Sequence, residues 1–310
     1  MSMPAVGSPL WIEGEVRRYL TRGDYDCFFA GWPGRTVIGI ATDATQRLRS
    51  ALVEATLRRA RGFERSAPLA EPIDPWLRYK LSPMVQGLFT VHERNCVLDA
   101  LARGIVFLTP HNIVDVLTME PWLSTAWRLA NLYLDSLGAQ RLGSQAGELV
   151  GLSQGATCYM SIAYFDQTDP FADYVVHEAA HVLHNCRRAA IGLPERRHCP
   201  TPLDIAFHHR ETFAYACEAY SRILATTHDG ESRQAALERH KTSELPPDER
   251  VDHGEYLAIL TEAVRARNGW RCITNGVRRN DGDSISGTTR WSREARPPAA
   301  RDRRQRLELR

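Results

Sequence analysis

Three features that would place a protein in a special class are missing from this chain of 310 residues. Its seven cysteines are scattered, odd in number and form no C-x-x-C pair, which argues against a disulfide framework and favours a reducing compartment. No apolar stretch reaches the roughly 20 residues that a membrane-spanning helix needs. The N-terminal segment has no basic stretch followed by an apolar run, the pattern of a secretory signal. We therefore expect a cytoplasmic protein with no membrane partner.

The sequence also has little net charge, formally +2 at pH 7, so its overall balance gives no reason to expect nucleic acid as a partner. The C-terminal part differs, because residues 290–310 hold eight arginines against three acids and show no apolar periodicity. This composition predicts a disordered basic tail over residues 276–310. Such a tail offers a contact for nucleic acid or an acidic partner, although a solvated tail is the simpler interpretation.

A short motif within an apolar run carries most of the chemical information. His177, Glu178 and His181 form H-E-x-x-H within the sequence F-A-D-Y-V-V-H-E-A-A-H-V-L-H-N-C. On a helix, residues four apart lie on one face, so the two imidazoles can bind one cation. Glu178 is then placed to hold the water that a zinc ion activates. Because the run is largely apolar, the helix should be buried, and buried histidines need partners. The motif predicts a Zn²⁺ site.

A catalytic zinc ion needs a third protein ligand and an open position for water. The metzincin pattern fails, since His184 stands where its glycine belongs and Arg187 where its third histidine belongs. The next predicted helix offers Glu211 and Glu218, seven residues apart on one face. Alanines on both helices allow close approach. We prefer Glu211 as the third ligand, with Glu218, His208 and His209 as alternatives; His184 is expected to be packed or to support a ligand.

The arrangement of these two helices resembles that of the gluzincin metallopeptidases. In that superfamily a strand precedes the H-E-x-x-H helix and a glutamate on a later helix completes the metal site; Glu211-Thr212-Phe213-Ala214 looks like the second motif. The resemblance implies that His177, His181 and Glu211 bind zinc and that Glu178 is the general base. Position 215 departs from the family, where some members carry an aspartate.

The resulting expectation is hydrolysis of an amide bond in a protein or peptide, with Glu178 taking a proton from water and passing it to the leaving amine. His209 or Tyr215 is a candidate donor to the oxyanion of the tetrahedral intermediate. Residues 187–207 and the predicted strand at residues 156–165 would contact the substrate, the strand by pairing with an extended peptide.

The first hundred residues suggest a different module. Residues 25–30 and 36–41 read as two strands around the turn Gly31-Trp32-Pro33-Gly34, followed by a helix capped by Asp43. Gly23-Asp24-Tyr25 and Val37-Ile38-Gly39 resemble the paired motifs of GIY-YIG nuclease domains over residues 22–110. The resemblance implies that Tyr25 and Arg47 contact a phosphodiester and that Glu93 binds a metal ion. It makes nucleic acid a candidate partner of this module.

Together these patterns predict an α+β protein in three parts. Residues 1–115 form a small α/β hairpin-helix module, residues 116–275 a zincin-like metallopeptidase domain with a small sheet and an edge strand, and residues 276–310 the tail. The leading function is a zinc metallopeptidase. The alternatives are a nucleic-acid-binding or nuclease-derived protein with a regulatory zincin domain, and a binding module whose metal is structural.

Overall fold

A computed structural model describes residues 4–63, 73–143, 151–197 and 199–283 of the chain, with side chains described as far as Arg278. In that part of the chain, helices dominate and the strands are short. The elements, in chain order, are α1 (Pro9–Arg22), α2 (Val37–Ala60), α3 (Ile73–Leu88), α4 (Val91–Gly104), β1 (Ile105–Leu108), α5 (Ile113–Met119), α6 (Leu123–Ser136), β2 (Gly151–Gln154), β3 (Thr157–Ser161), α7 (Tyr174–Asn185), α8 (Arg210–Thr226), α9 (Gly230–Lys241), α10 (His253–Arg265) and α11 (Gly269–Asp283). The predicted α+β class is confirmed at this level.

The three strands form one sheet in the order β1-β3-β2. β1 pairs with β3 in parallel, with Ile105 opposite Cys158, and β2 pairs with β3 as an antiparallel hairpin, with Gly151 opposite Met160. β2 is therefore an edge strand of this sheet. The predicted strand at residues 156–165 is confirmed over Thr157–Ser161, after which the chain turns into a short 3₁₀ helix. Because β3 is the central strand and pairs with β1 on one side and β2 on the other, the expectation that it pairs with an extended peptide is wrong. Helix α7 packs against β2 and β3.

Helices α7 and α8 pack closely along one another, as their alanines predicted. Ala179, Ala180 and Ala214 are completely buried, and side chains this small let two helix backbones approach. Helices α9, α10 and α11 surround α8 on its other sides. This close approach places the polar residues of the two helices within reach of each other across the interface.

The predicted N-terminal hairpin is wrong. Residues 25–30 form turns, because the Asp26 carboxylate accepts hydrogen bonds from the backbone N–H groups of Phe28 and Ala30 at 2.9 and 2.7 Å. The second expected strand is the start of α2, whose N-terminus is capped by Thr36 rather than by Asp43. A short polar side chain that satisfies free backbone donors outweighs the strand preference of neighbouring aromatic and branched residues.

The predicted tail is also wrong over its first eight positions, residues 276–283, which belong to helix α11. Trp270, Ile273 and Val277 recur at helical spacing and are buried, so this segment has an apolar face to cover. The rest of the predicted tail, residues 284–310, lies outside the described residues. Among the described helices, none combines the length and the apolarity that a membrane crossing requires.

Contacts also cross the predicted domain boundary at residue 115. β1 belongs to the same sheet as β3, α2 packs on α6, and α3 packs on both α7 and α11. The Tyr19 hydroxyl of α1 donates a 2.7 Å hydrogen bond to the Leu123 carbonyl of α6. The buried apolar side chains of both predicted parts form one cluster. Apart from the corrections to the hairpin and to residues 276–283, the division of the chain at residue 115 stays a prediction, and the zincin-like topology does so as well.

Candidate metal centre

Three of the residues predicted to bind metal come together where α7 meets α8. Nε2 of His177 lies 3.0 Å from Nε2 of His181, and these atoms lie 3.8 and 3.4 Å from Oε2 of Glu211. The group is the only set of three or more histidine, cysteine or acidic side chains in the described part of the chain that is arranged to hold a metal ion. The predicted cofactor is supported this far: these three side chains could hold a metal ion, and the identity of that ion is a matter for the proposal below.

Hydrogen bonds behind the two imidazoles assign their protons. His177 Nδ1 lies 2.9 Å from Oε2 of Glu218, which as a carboxylate can only accept. Arg210 donates to Oδ1 of Asn185 at 2.9 Å, so that oxygen also accepts from Nδ1 of His184 at 3.2 Å. Nε2 of His184 is then the acceptor for Nδ1 of His181 at 3.1 Å. Both ligand histidines therefore carry their proton on Nδ1.

With these tautomers, lone pairs on Nε2 of His177, Nε2 of His181 and Oε2 of Glu211 face the same small space. Nε2 of each ligand histidine and the Glu211 carboxylate are all acceptors, and acceptors this close repel each other unless a cation lies between them. In a tetrahedral zinc site with bonds of 2.0–2.2 Å, ligand atoms lie about 3.3 Å apart. The observed separations of 3.0, 3.4 and 3.8 Å are close to that value. The donor set and its spacing fit zinc.

Glu218 supports His177 from behind instead of binding the ion. Its Oε1 accepts a 2.6 Å hydrogen bond from the backbone N–H of Asp173, and its Oε2 faces His177. Burial disfavours the charged imidazole, but the Glu218 carboxylate outweighs burial and raises the pKa of His177. A carboxylate behind a histidine ligand fixes its ring and strengthens its binding to metal. Of the alternatives for the third ligand, Glu218 therefore has a different task.

His184 is buried behind His181, as predicted for a packed or supporting residue. Burial, followed by the proximity of His181 and Arg210, lowers the pKa of His184 to about 3. The ring is therefore neutral at pH 7 and can accept from His181. The sequence shows His184 three residues after His181, the spacing at which two side chains meet on a helix.

Glu211 is ionised and faces partly towards solvent. Burial would raise the pKa of Glu211, but the imidazoles of His181 and His177 and the guanidinium of Arg250, which all favour the carboxylate form, outweigh burial and lower it. Oε1 of Glu211 lies 3.0 Å from the Arg250 guanidinium, leaving Oε2 for the ion. The side chains of His177, His181 and Glu211 remain 11, 14 and 15% exposed, so an ion here would keep a face open to water or substrate.

The hydrogen-bond partners of Glu178 differ from those of His177, His181 and Glu211. Its carboxylate accepts a hydrogen bond from the Ser153 hydroxyl of β2, and the Cys158 thiol lies 3.7 Å away. Gly151 leaves room for it, because a Cβ atom at that position would lie 2.9 Å from Oε1 of Glu178. The motif glutamate thus lies between α7 and the edge strand, outside the group formed by His177, His181 and Glu211.

The two predicted oxyanion donors have different surroundings. The Tyr215 ring packs edge-on against His177, with centroids 4.5 Å apart. Burial and the charge of Glu218 raise the pKa of Tyr215, so its phenol keeps a proton to donate. His209 is buried in the turn before α8, and its Nδ1 lies 3.2 Å from Glu255 of α10. Tyr215 therefore stays a candidate hydrogen-bond donor to the oxyanion, and we assign His209 no role in the reaction.

The three residues of the nuclease resemblance have partners of their own. Tyr25 stacks on Phe29 with centroids 5.9 Å apart, and Arg47 is exposed beside α1. Glu93 receives hydrogen bonds from Arg188 at 2.6 Å and Arg196 at 3.0 Å. Glu93 therefore ties α4 to the segment after α7. The neighbouring strands on which this resemblance depended are absent from residues 25–41, so we build no proposal on it.

Sequence reasoning missed the support for the N-terminus of α7. Asp173 is completely buried, caps the helix, and contacts the Lys80 ammonium of α3 at 2.7 Å, with Tyr164 and Ser221 as further donors. An aspartate directly before an apolar helical run is a capping signal. That signal was available in the sequence, but the pairing with Lys80, 93 positions earlier, was not.

Comparisons of the chain with protein-family models, with curated proteins and with solved structures find no match. The function is therefore argued from the geometry above.

Proposed function

We propose that this protein is a zinc-dependent metallopeptidase that hydrolyses an amide bond of a protein or peptide. The observation that carries the proposal is the meeting of His177, His181 and Glu211, with their acceptor atoms turned towards one point. Two histidines and one carboxylate, with one position left open, form a ligand set used by catalytic zinc sites in hydrolases.

The residues divide the work between binding and proton transfer. A zinc ion held there would lower the pKa of a water molecule and polarise the scissile carbonyl. Glu178 takes the proton of the attacking water and passes it to the leaving amine. The phenol of Tyr215 donates a hydrogen bond to the developing oxyanion. Ser153 holds the Glu178 carboxylate from the edge strand and sets its orientation.

A catalytic role fits the site better than a structural one. Structural zinc sites are closed by four protein ligands, whereas three converge here and each stays partly exposed. Glu178, directly beside His177, takes no part in the ligand set and is half-buried. A site that served only folding would need neither the open position nor this glutamate.

The deciding experiment combines metal analysis with the Glu178→Gln variant. We expect the purified protein to hold about one zinc per chain and to cleave members of a random peptide library. Glu178→Gln should bind zinc as before and lose a factor of about 10²–10⁴ in kcat/KM, the usual contribution of a general base.

The exposed Glu249→Gln supplies the matched control and should behave as the wild type. If the protein holds no zinc after purification in a buffer that contains zinc, the proposal is contradicted. Zinc binding with cleavage that does not depend on Glu178 would favour the structural role.

A further inference from the structure

A cavity of about 450 Å³ opens beside the metal centre, on the far side of Tyr215 and Glu218. Its size lies within the range of roughly 300–1,000 Å³ that is usual for ligand pockets. Tyr215 and Glu218 contact His177 with one side and line the cavity with the other. On α8, Glu211, Tyr215 and Glu218 follow at spacings of four and three residues, so the cavity begins about one helical turn from the metal ligand.

The walls of the cavity are aromatic. Phe171, Tyr174, Tyr215 and Tyr256 contribute their rings, and His240 packs on Phe171 with centroids 4.4 Å apart. Burial lowers the pKa of His240, so its ring adds no positive charge at pH 7. Aromatic faces carry negative potential and attract organic cations, most strongly where water is excluded.

The charged groups of the cavity are all acidic. Asp169, Glu218 and Glu244 line it, and no lysine or arginine does so. Two arginines close to lining residues in the chain or on α8 are engaged with other groups: Arg250 pairs with Asp248 and Glu211, and Arg222 donates to the carbonyl of Pro170. Glu218 has both oxygens engaged, whereas Asp169 and Glu244 lie exposed at the rim, and of the Asp169 carboxylate only Oδ1 accepts a backbone hydrogen bond, from Phe171 at 2.8 Å.

We infer that this cavity binds the side chain of an arginine or lysine in the peptide substrate. The inference rests on the proposed function and deepens it by naming the substrate class. The aliphatic part of the side chain would lie on the aromatic rings while its charged end meets the rim carboxylates. Since an extended peptide advances about 3.3 Å per residue, the basic residue would lie within about three positions of the scissile bond.

The test measures binding apart from catalysis. The probes are two alanine-based heptapeptides that carry one arginine or, at the same position, one citrulline, which has nearly the same shape and no charge. Their affinity for the zinc-loaded, full-length Glu178→Gln variant is measured by calorimetry. We expect the arginine peptide to bind about tenfold more tightly, with a difference that shrinks as salt is added.

Two double variants identify the carboxylates responsible. Asp169→Asn with Glu244→Gln should abolish the preference for arginine over citrulline. Glu13→Gln with Glu54→Gln removes the same charge from exposed positions on α1 and α2 and should leave the preference intact. Equal binding of the two peptides, no binding of either, or equal loss in both double variants overturns the inference.

Library cleavage by the wild type separates this inference from the function on which it rests. If cleavage depends on Glu178 but shows no basic residue within three positions of the cut, the inference about the cavity is overturned and the proposed peptidase function stands. If the arginine peptide is preferred but no cleavage depends on Glu178, the cavity binds basic peptides and the proposed peptidase function is overturned.

Discussion

At the scale of single residues, three glutamates near one metal centre have different roles because of what holds each carboxylate. Glu211 has one oxygen on Arg250 and the other directed at the two ligand histidines. Glu218 uses both oxygens, one on the Asp173 backbone and one on His177. The Glu178 carboxylate accepts a hydrogen bond from the Ser153 hydroxyl of the edge strand. In the proposed function, the same type of side chain thus serves as ligand, support and base.

The role of Glu218 can be tested by Glu218→Gln. An amide in place of the carboxylate removes the negative charge behind His177, which weakens the binding of Nε2 to a metal ion. We expect the Kd for zinc, measured in competition with a fluorescent chelator, to rise by about 10–100-fold, the usual effect of losing a ligand's supporting group. The exposed Glu231→Gln should leave the Kd unchanged. An unchanged Kd in Glu218→Gln would mean that Glu218 only packs.

The sequence identified the three residues that meet at the candidate site, but it did not identify the residue that supports them. His177 and His181 followed from the motif, and Glu211 from its position early on a helix with an alanine face. Glu218 lies on the same face seven residues later, so helical spacing alone could not assign the ligand and the support to one or the other. The choice depends on the orientation of α8 against α7, which is a property of packing between distant segments.

At the scale of elements, the position of α7 depends on a helix far from it in sequence. The buried Asp173 caps α7, and Lys80 of α3 supplies its countercharge at 2.7 Å. The backbone N–H of the same aspartate holds Glu218, so the start of α7 and the support of His177 share one anchor. The interface of α3 with α7 is therefore part of what keeps the metal ligands in place.

Lys80→Met tests this anchor. The variant leaves the buried Asp173 carboxylate without its countercharge, and breaking a buried ion pair in this way costs about 3 kcal/mol of the free energy of unfolding. Arg78→Met is the matched control on the same helix, since Arg78 pairs with Asp74 and Asp99 at a side-chain exposure of 35% and should cost less than about 1 kcal/mol. Urea unfolding measures the free energy of unfolding of both variants. Equal losses would contradict the claim that the pair of Lys80 with Asp173 stabilises the start of α7.

The elements that sequence predicted best have their signals within the element. The apolar periodicity of residues 122–137 and 210–225 predicts two helices, and α6 and α8 lie at Leu123–Ser136 and Arg210–Thr226, because long apolar periodicity determines a helix locally. The hairpin failed for the opposite reason. The strand preference of residues 36–41 was weaker than the cap at Thr36, and Val37 and Ile38 stay exposed on the first turn of α2.

At the scale of the whole molecule, a buried neutral histidine outside the candidate metal centre makes the fold sensitive to acid. His240 of α9 is 3% exposed and its Nε2 lies 2.6 Å from the Tyr256 hydroxyl of α10, with Ser243 and the Phe171 ring also in contact. Burial, opposed only by the charge of Asp169, lowers the pKa of His240 below its ordinary value of 6.5. The folded state therefore binds this proton less readily than the unfolded chain does.

The sign of the effect follows from that difference. Below pH 6.5 the unfolded chain takes up a proton at His240 that the folded state refuses, so the free energy of unfolding falls as the pH falls. Between pH 7 and pH 5 this group therefore lowers the free energy of unfolding progressively as the pH falls. His240→Gln, a neutral polar side chain at every pH, should make the free energy of unfolding fall less steeply over that range, while the exposed His111→Gln should not. Urea unfolding at pH 5, 6 and 7 with a chelator present isolates the difference between variants. The contrary outcome is that the free energy of unfolding of His240→Gln and that of the wild type fall equally on acidification. His240 would then bind a proton as readily in the folded protein as in the unfolded chain, and the acid sensitivity would have another source.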